Sequence, residues 1–589
     1  MPRGNAIERT PSRPQAARRD KQDWDRKAWR QRLILDYLHP SAPTDFSADL
    51  CIVGAGAAGL AIARTFIGTP IRVCLAESGG LAGEERNQAL AAGESVGSPA
   101  FDPGMSRMRV FGGSCNLWGG GCIPLDRHDL APRDWVPHSG WPIGYADIEP
   151  YYRQALGFCG IEGHAFAPGS FATPPAQTPL PLAGSGLDNK VFVRTPLLFG
   201  ESCRAELARA PNITVLLHAN VLELLACPSG AQVREARIGS LDGRRGAVSA
   251  RHYVLCCGGI ENARLLLLSR SVVAQGLGNQ RDLVGRFFMD HPSGKLGTVF
   301  ARQVDRIARP YDRTRGKGAT PAFHEIGLSE QVQRTQRLLN GRVHPFAVEA
   351  PLPRGIRALR SWRAARRPAM QDEGARLADR LCLAMHNGPV ATTGAEMPPP
   401  ARLALQLGLG VGDLATALGR RLAARPTVKS RHVELYGFFE QAPNPASRVR
   451  LGNEPDALGQ PKICVDWQLT ALDRQTYRAT AQLSGARLAQ ACGGRFEIEP
   501  WLDDEQAPAQ VRGTAHHLGT TRMADDPQHG VVDRHGRVHG IDNLHVAGSS
   551  VFPTGGWAFP TFTIVALSLR LAERLRTRAL ATHGDSLVA

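Results

Sequence analysis

The apolar run Asp49-Leu-Cys-Ile-Val opens directly into Gly54-Ala-Gly56-Ala-Ala-Gly59, and no other feature restricts the fold as strongly. A short run of consecutive apolar residues reads as a strand buried on both faces, as in a parallel sheet. Leu60–Phe66 continues as a helix, and Arg72-Val-Cys-Leu-Ala-Glu77 reads as a second strand. In such a unit Gly54 makes the tight turn, Gly56 lets backbone approach a pyrophosphate, and Gly59 lets the helix pack on the strand. The phosphates lie at the helix N-terminus, where unpaired N–H groups and the helix dipole favour negative charge. Glu77 follows Gly59 by 18 residues, at the end of the second strand, where a carboxylate takes the hydroxyls of an adenosine ribose. The unit predicts dinucleotide binding and leaves NAD and FAD open.

Composition narrows the class. The chain is 43% hydrophobic and 21% charged, a globular balance that excludes a disordered, collagen-like or disulfide-stapled protein. Its 589 residues suggest three or four structural units of about 150 residues each. The 12 cysteines are scattered singles apart from Cys256–Cys257, with no Cys-x-x-Cys, so neither a metal site nor a redox dithiol is expected. Residues 1–49 hold no apolar stretch of signal-peptide length, and no run of 18 apolar residues exists. The expectation is a cytoplasmic protein without a transmembrane segment. Net charge is +16, and residues 301–431 carry 23 Lys and Arg against 10 Asp and Glu. No zinc-finger or RNA-binding motif accompanies this excess, so no nucleic-acid partner is expected. The basic segment reads as a solvated surface or as a dock for an acidic redox partner.

Residues 1–47 read as a basic leader, with a helix over Asp23–Leu38 ended before Pro40. Residues 165–185 are rich in Pro, Ala and Gly and read as a surface loop. Strands are predicted at Ile213–Leu217, Val221–Leu225 and Arg251–Gly259, followed by a helix over Glu261–Ser269. Two helical stretches, Leu359–Leu383 and Ala401–Ala424, flank the Pro398-Pro-Pro400 break. Strands resume at His432–Phe438, Ser447–Leu451 and Ile463–Leu469, and a helix over Thr563–Arg576 ends the pattern. Tyr436, Phe438, Phe439 and Trp467 read as core or as a surface that stacks on a sugar ring.

Three further segments carry chemistry. The first is Phe111-Gly-Gly-Ser-Cys-Asn-Leu-Trp118-Gly-Gly-Gly121, whose glycines let backbone lie against a flat ring. The others are Thr514-Ala-His516-His517-Leu-Gly-Thr520-Thr-Arg-Met523 and Asn543-Leu-His-Val-Ala-Gly548-Ser549 through Trp557-Ala-Phe559-Pro560-Thr561. With the first glycine cluster these resemble the glucose–methanol–choline (GMC) family of FAD-dependent alcohol oxidoreductases, over residues 49–576. Gly285-Arg-Phe-Phe-Met-Asp-His-Pro292 and Glu440-Gln-Ala-Pro-Asn-Pro-Ala-Ser-Arg-Val449 resemble the branch of pyranose 2-oxidase and bacterial sugar dehydrogenases.

The resemblance implies an α/β plus α+β architecture. A Rossmann-like FAD-binding domain with a parallel sheet takes residues 48–300 and 500–577. A substrate domain with an antiparallel sheet takes 301–499, with an Arg-rich helical insertion at about 350–428. Gly54, Gly56, Gly59 and Glu77 would hold the ADP half of FAD, and Val221 would meet the adenine through its backbone. Gly112, Gly113, Asn116, Trp118 and Gly119 would lie along the isoalloxazine. Gly548 and Ser549 would meet the pyrophosphate and ribityl chain, and Pro560 and Thr561 the pyrimidine edge. His516 matches the family's catalytic histidine. A positioned imidazole takes the hydroxyl proton of a sugar, glycoside or other alcohol as the C–H hydrogen leaves to flavin N5. His517 is expected to point elsewhere. The electron acceptor, whether oxygen, a quinone or a redox protein, is not legible in these residues.

Two positions depart from the family. Leu117 stands where covalent-flavin relatives carry histidine, which implies noncovalent FAD. Phe559 stands where the family places Asn or His, beside the substrate, and a phenyl ring offers no hydrogen bond. Two residues away, the Trp557 indole N–H is one candidate replacement donor, and Glu434, on the alternating strand, is a candidate polar substrate contact. The alternative that Phe559 opens is a non-redox GMC-type lyase or an inactive flavoprotein.

Overall fold

The computed structural model describes residues 33–163, 166, 178–311, 322–365, 377, 381, 399–422 and 428–585. Strand Asp45–Val53 ends in the Gly54 turn, helix Ala57–Thr65 follows, and strand Val73–Ala76 returns beside the first in parallel. The contact between helix and strand is backbone to backbone. A Cβ on Gly59 would lie 1.9 Å from the Gly54 carbonyl oxygen, so no other residue fits there.

These strands belong to an eight-stranded sheet. Ile34–Asp36, Ile213–Leu217, Val73–Ala76, Asp45–Val53 and Arg245–Leu255 run parallel in that order. Arg245–Leu255 then changes partner along its length. Its first half pairs antiparallel with Val233–Gly239, and its last three residues pair parallel with Leu544–Val546. That second pairing brings the C-terminal glycine-rich segment to the carboxyl ends of the parallel strands, where ligands bind in open α/β sheets. Leu75, Tyr253, Phe66 and Phe562 are fully buried in the shared core, each stabilising it by about 1.5–3 kcal/mol.

A second, antiparallel sheet orders Arg495–Ile498, Ser293–Phe300, Ser430–Phe439, Gly341–Glu349, Ala322–Leu328, Leu187–Arg194 and Gly121–Cys122. The alternation along Ser430–Phe439 sorts its two faces. Val433, Leu435 and Phe439 are buried in a core with Tyr477, Ala481 and Leu488 of helix Ala471–Cys492, whereas Glu434, Tyr436 and Phe438 face a cavity. A third, small sheet joins Arg448–Pro455, Pro461–Asp466 and Gly93–Ser95, and packs through Val449, Ile463 and Val465 on Ile260 of helix Gly258–Leu268.

Several expectations need correction. Ile34–Asp36 is a strand at the edge of the parallel sheet, not the end of a helix over Asp23–Leu38, because its backbone pairs with Val215–Leu217. Residues 23–32 of that expected helix lie outside the described residues, as do most of the 165–185 loop, Pro398 and much of Leu359–Leu383. A division at residue 300 does not separate the sheets. The antiparallel sheet takes strands from 121–122, 187–194 and 293–300, while 448–466 joins a strand at 93–95. In place of one helix over Ala401–Ala424 stand two, Pro400–Leu409 and Val411–Leu422. They part at Gly410, where a Cβ would lie 2.2 Å from Gly355 Cα of helix Arg354–Ala365. Among the described residues no helix is long and apolar enough to cross a membrane.

Candidate active site

Between the two large sheets lies a cavity of about 870 Å³. Gly54, Gly56, Glu77 and Val221 line it from the parallel sheet, and Gly548, Ser549, Pro560 and Thr561 from the C-terminal segment. Gly113, Trp118 and Gly119 line it from the glycine-rich loop, and His516, Phe559 and Glu434 also border it. Four other expected residues do not. Gly59 is enclosed between strand and helix. The Gly112 N–H donates to the Ala55 carbonyl at 2.9 Å, and Asn116 Nδ2 donates to the Phe111 carbonyl at 2.9 Å. The first ties the loop to the Gly54 turn and the second ties the loop to itself, and neither residue borders the cavity. The fourth is Trp557.

The dinucleotide end is built from backbone. Gly54 has φ +98°, and a Cβ there would meet the Cys256 carbonyl oxygen at 2.8 Å. Gly56 caps helix Ala57–Thr65, and a Cβ built on it meets nothing within 4 Å, so its missing side chain is open space above the helix N-terminus. Glu77 is buried, with Oε2 accepting from the Ala55 N–H and Oε1 from the Gly79 N–H, each at 2.8 Å. Burial raises its pKa, opposed by those donors. An acid at the strand end, an open phosphate cradle and a flat glycine-rich wall in one cavity fit a flavin dinucleotide. Reasoning from the sequence missed two cations bordering it, Arg107 and Arg109, which share Glu261 at 2.5 and 3.6 Å. Burial disfavours ionised Glu261, but Arg107, Arg264 and Arg109 outweigh it and hold the group at about 2.

The other end is built from side chains. Ala515 takes the left-handed conformation, φ +60°, so the chain turns sharply between Thr514 and His516. His516 Nδ1 lies 2.9 Å from Thr514 Oγ1 and 3.0 Å from His291 Nδ1. The carboxylate of Asp290 gathers this turn, its Oδ1 accepting from the backbone N–H of His516 at 2.9 Å and of Thr514 at 3.1 Å. Burial pushes Asp290 up to about 6 in spite of these donors. Burial and then the charge of Arg342 push His291 down to about 4, so it is neutral near pH 7. Asp290 and His291 lie in a motif noted only for its family resemblance; Asp-His beside Pro was the signal that could have found them.

The network accommodates a tautomer of His516 suited to a base. Thr514 Oγ1 has the His291 carbonyl at 3.0 Å and Asp290 Oδ1 at 3.3 Å, both acceptors only. With its single proton on one of these and His291 Nδ1 unprotonated, Thr514 and His291 both accept from His516 Nδ1. Nδ1 therefore carries the proton, and the basic lone pair is on Nε2.

Phe559 turns its ring edge-on to His516, centroids 5.8 Å apart. The expectation that Trp557 replaces the missing donor is wrong. Its ring is buried, its Nε1 donates to Asp126 Oδ2 at 2.9 Å, and it does not border the cavity. Trp557 and Phe559 are two residues apart, yet their side chains reach different surroundings. Glu434 borders the cavity and pairs with Lys295 at 3.0 Å. His517 is buried against Phe101 and Phe288 and is pushed by burial down to about 3. Tyr436 and Phe438 face the cavity, whereas Phe439 and Trp467 are core. Glu325, Arg342 and His344 also border it, unforeseen because nothing in their local sequence marks them.

Residues 443–568 match the family model described as GMC oxidoreductase. A 6'''-hydroxyparomomycin C oxidase of Streptomyces lividus is 26% identical, over 93% of this chain and 94% of the relative. The large subunit of fructose dehydrogenase from Gluconobacter japonicus is 25% identical, over 75% and 77%. Among solved structures, pyridoxine 4-oxidase from Mesorbium loti superposes with a TM-score of 0.54 at 18% identity, covering 90% of this chain and 99% of that one, a likeness of fold.

Proposed function

We propose that this chain is a GMC-type, FAD-dependent enzyme that oxidises a CH–OH group of a sugar, aminoglycoside or related polyol, with His516 as the base. The observation that carries this reading is the Thr514–His516–His291 network, which presents a basic Nε2 on an imidazole bordering the cavity. FAD, when bound, supplies the acceptor for the electron pair that leaves with the C–H hydrogen. Gly56, Gly548 and Ser549 would hold its phosphates and ribityl chain, with Gly113 along the isoalloxazine and Glu77 on the ribose. The chain's own part is to remove the hydroxyl proton. A free alcohol is too weak an acid to lose it near neutral pH, and a positioned base contributes typically 10²–10⁴-fold.

Sugar-type substrates are supported by the relatives, one an oxidase of an aminoglycoside and one a fructose dehydrogenase. They are also supported by Tyr436 and Phe438, whose rings border the cavity beside charged Glu434 and Arg342. Leu117 packs with Met108, Val110, Leu377 and Leu381 and has no atom that bonds a flavin, which supports noncovalent FAD. Acid precipitation should leave the yellow colour in the supernatant; colour in the pellet refutes that point. For the activity, anaerobic titration with hexoses, polyols and aminoglycosides should bleach the flavin absorbance. A flavin that stays oxidised with every member overturns the redox reading.

A further inference from the structure

Loss of the usual polar side chain at Phe559 leaves a chemical gap. As His516 takes the hydroxyl proton, negative charge grows on the substrate oxygen, and a preorganised donor there is worth roughly 10²–10³ in rate. Several groups near the gap are committed elsewhere. The Trp557 N–H is held by Asp126, and Lys295 lies between Glu434 and Glu499 at 3.0 Å from each. His291 touches Nδ1 of His516, the nitrogen not used as the base.

Arg342 is different. It stands on strand Gly341–Glu349 directly opposite Phe438, and its guanidinium lies against two rings, 4.2 Å from the centroid of Phe438 and 4.6 Å from that of Phe559. Nη1 meets Glu325 at 3.0 Å, Nε is buried without a partner, and the residue borders the same cavity as His516. Its charge is felt at His291, the direct neighbour of His516. The two rings and the Glu325 carboxylate hold the planar fork, and burial shields it from water. A charge-assisted hydrogen bond is about twice as strong as a neutral one.

We propose that Arg342 is the electrophilic catalytic residue of this enzyme, donating to the substrate oxygen in place of the polar side chain that Phe559 lacks. The inference rests on the proposed alcohol oxidation. In that step the O–H bond breaks with its proton passing to His516 Nε2. The C–H hydrogen would leave with its electron pair as hydride to bound FAD, which takes up both as the alcohol becomes a carbonyl. Arg342 stays protonated throughout and stabilises the oxygen while its charge is greatest. Phe559 on this view is the second wall of the slot that aims the guanidinium.

The test uses Arg342→Met and Arg342→Lys, each alone and combined with Phe559→Asn, as holoenzymes with flavin content read from the absorbance. With an alcohol that the wild type oxidises, Arg342→Met should reduce its flavin 10²–10³-fold more slowly in anaerobic stopped flow. Arg342→Lys should lose less, and Phe559→Asn should restore at least tenfold to the Met variant by returning a donor. A second readout needs no turnover. Acetate, whose anionic oxygen stands in for the charged substrate oxygen, should bind at least tenfold more weakly to Arg342→Met in a calorimetric titration. Reduction within threefold of wild type, or a loss with no rescue by Phe559→Asn and unchanged acetate affinity, overturns the proposal. If Arg342→Met fails to hold FAD, the Lys variant decides by the same criteria. If the wild type reduces with no alcohol, the proposed function fails, and the acetate titration still reports on Arg342.

Discussion

The two ends of the cavity do their work with different parts of the chain. At the dinucleotide end the work is done by backbone and by the absence of side chains: the Gly54 turn, the open face of Gly56, and the Gly59 contact that leaves 1.9 Å for a Cβ. At the end proposed as catalytic it is done by side chains from distant segments. Asp290 and His291, Arg342, Thr514 and His516, and Phe559 converge on one place from four stretches of sequence. A site made of backbone tolerates almost no change of residue, whereas a site made of side chains can exchange one donor for another on a different strand.

The comparison breaks first if the dinucleotide end tolerates a side chain. Gly56→Val puts two methyl groups where the pyrophosphate must lie, so the purified protein should be folded by circular dichroism but colourless and inactive. A yellow variant would place the cofactor elsewhere. Thr514→Val removes the acceptor that fixes the tautomer of His516, which at about 1.4 kcal/mol for one hydrogen bond slows flavin reduction about tenfold. Thr514→Ser should restore it, and equal rates for Val and Ser would remove Thr514 from the base. Trp557→Phe sharpens the contrast between neighbours. It should cost about 2 kcal/mol of stability through the lost hydrogen bond to Asp126, with reduction within threefold of wild type. A 100-fold slower reduction would return Trp557 to the catalytic end.

The smallest effect lies outside the cavity. His545 is buried on the strand that brings in the C-terminal segment, and burial pushes it down to about 3. An unfolded histidine binds its proton below about pH 6.5, and the folded one does not until far lower, so this group costs stability as pH falls through that window. One unit below, at pH 5.5, the cost is about 1.4 kcal/mol. His545→Phe should gain that much at pH 5.5 relative to pH 8 in urea denaturation; an unchanged difference contradicts a neutral buried imidazole.

The same contrast explains what was legible in the sequence. The glycine fingerprint, Glu77 and the parallel strands were readable because sterics force both residue type and spacing. His516 is singled out in the sequence only by the motif around it. Arg342 was not, because a single arginine in an Arg-rich stretch looks like solvated surface, and only the pairing of its strand with Ser430–Phe439 puts it against Phe438 and Phe559. Trp557 misled because two residues apart in an extended segment suggests a shared face, but the chain bends at Trp557 and Ala558. The division at residue 300 failed because strand neighbours across a sheet come from anywhere in the chain.

The account turns on the proton taken by His516, and its most direct measurement is anaerobic stopped-flow reduction of His516→Ala holoenzyme by an alcohol that the wild type oxidises. The account predicts a yellow variant with full flavin content whose reduction is slower by roughly 10²–10⁴, partly rescued by added imidazole. A variant that bleaches as fast as wild type would contradict it.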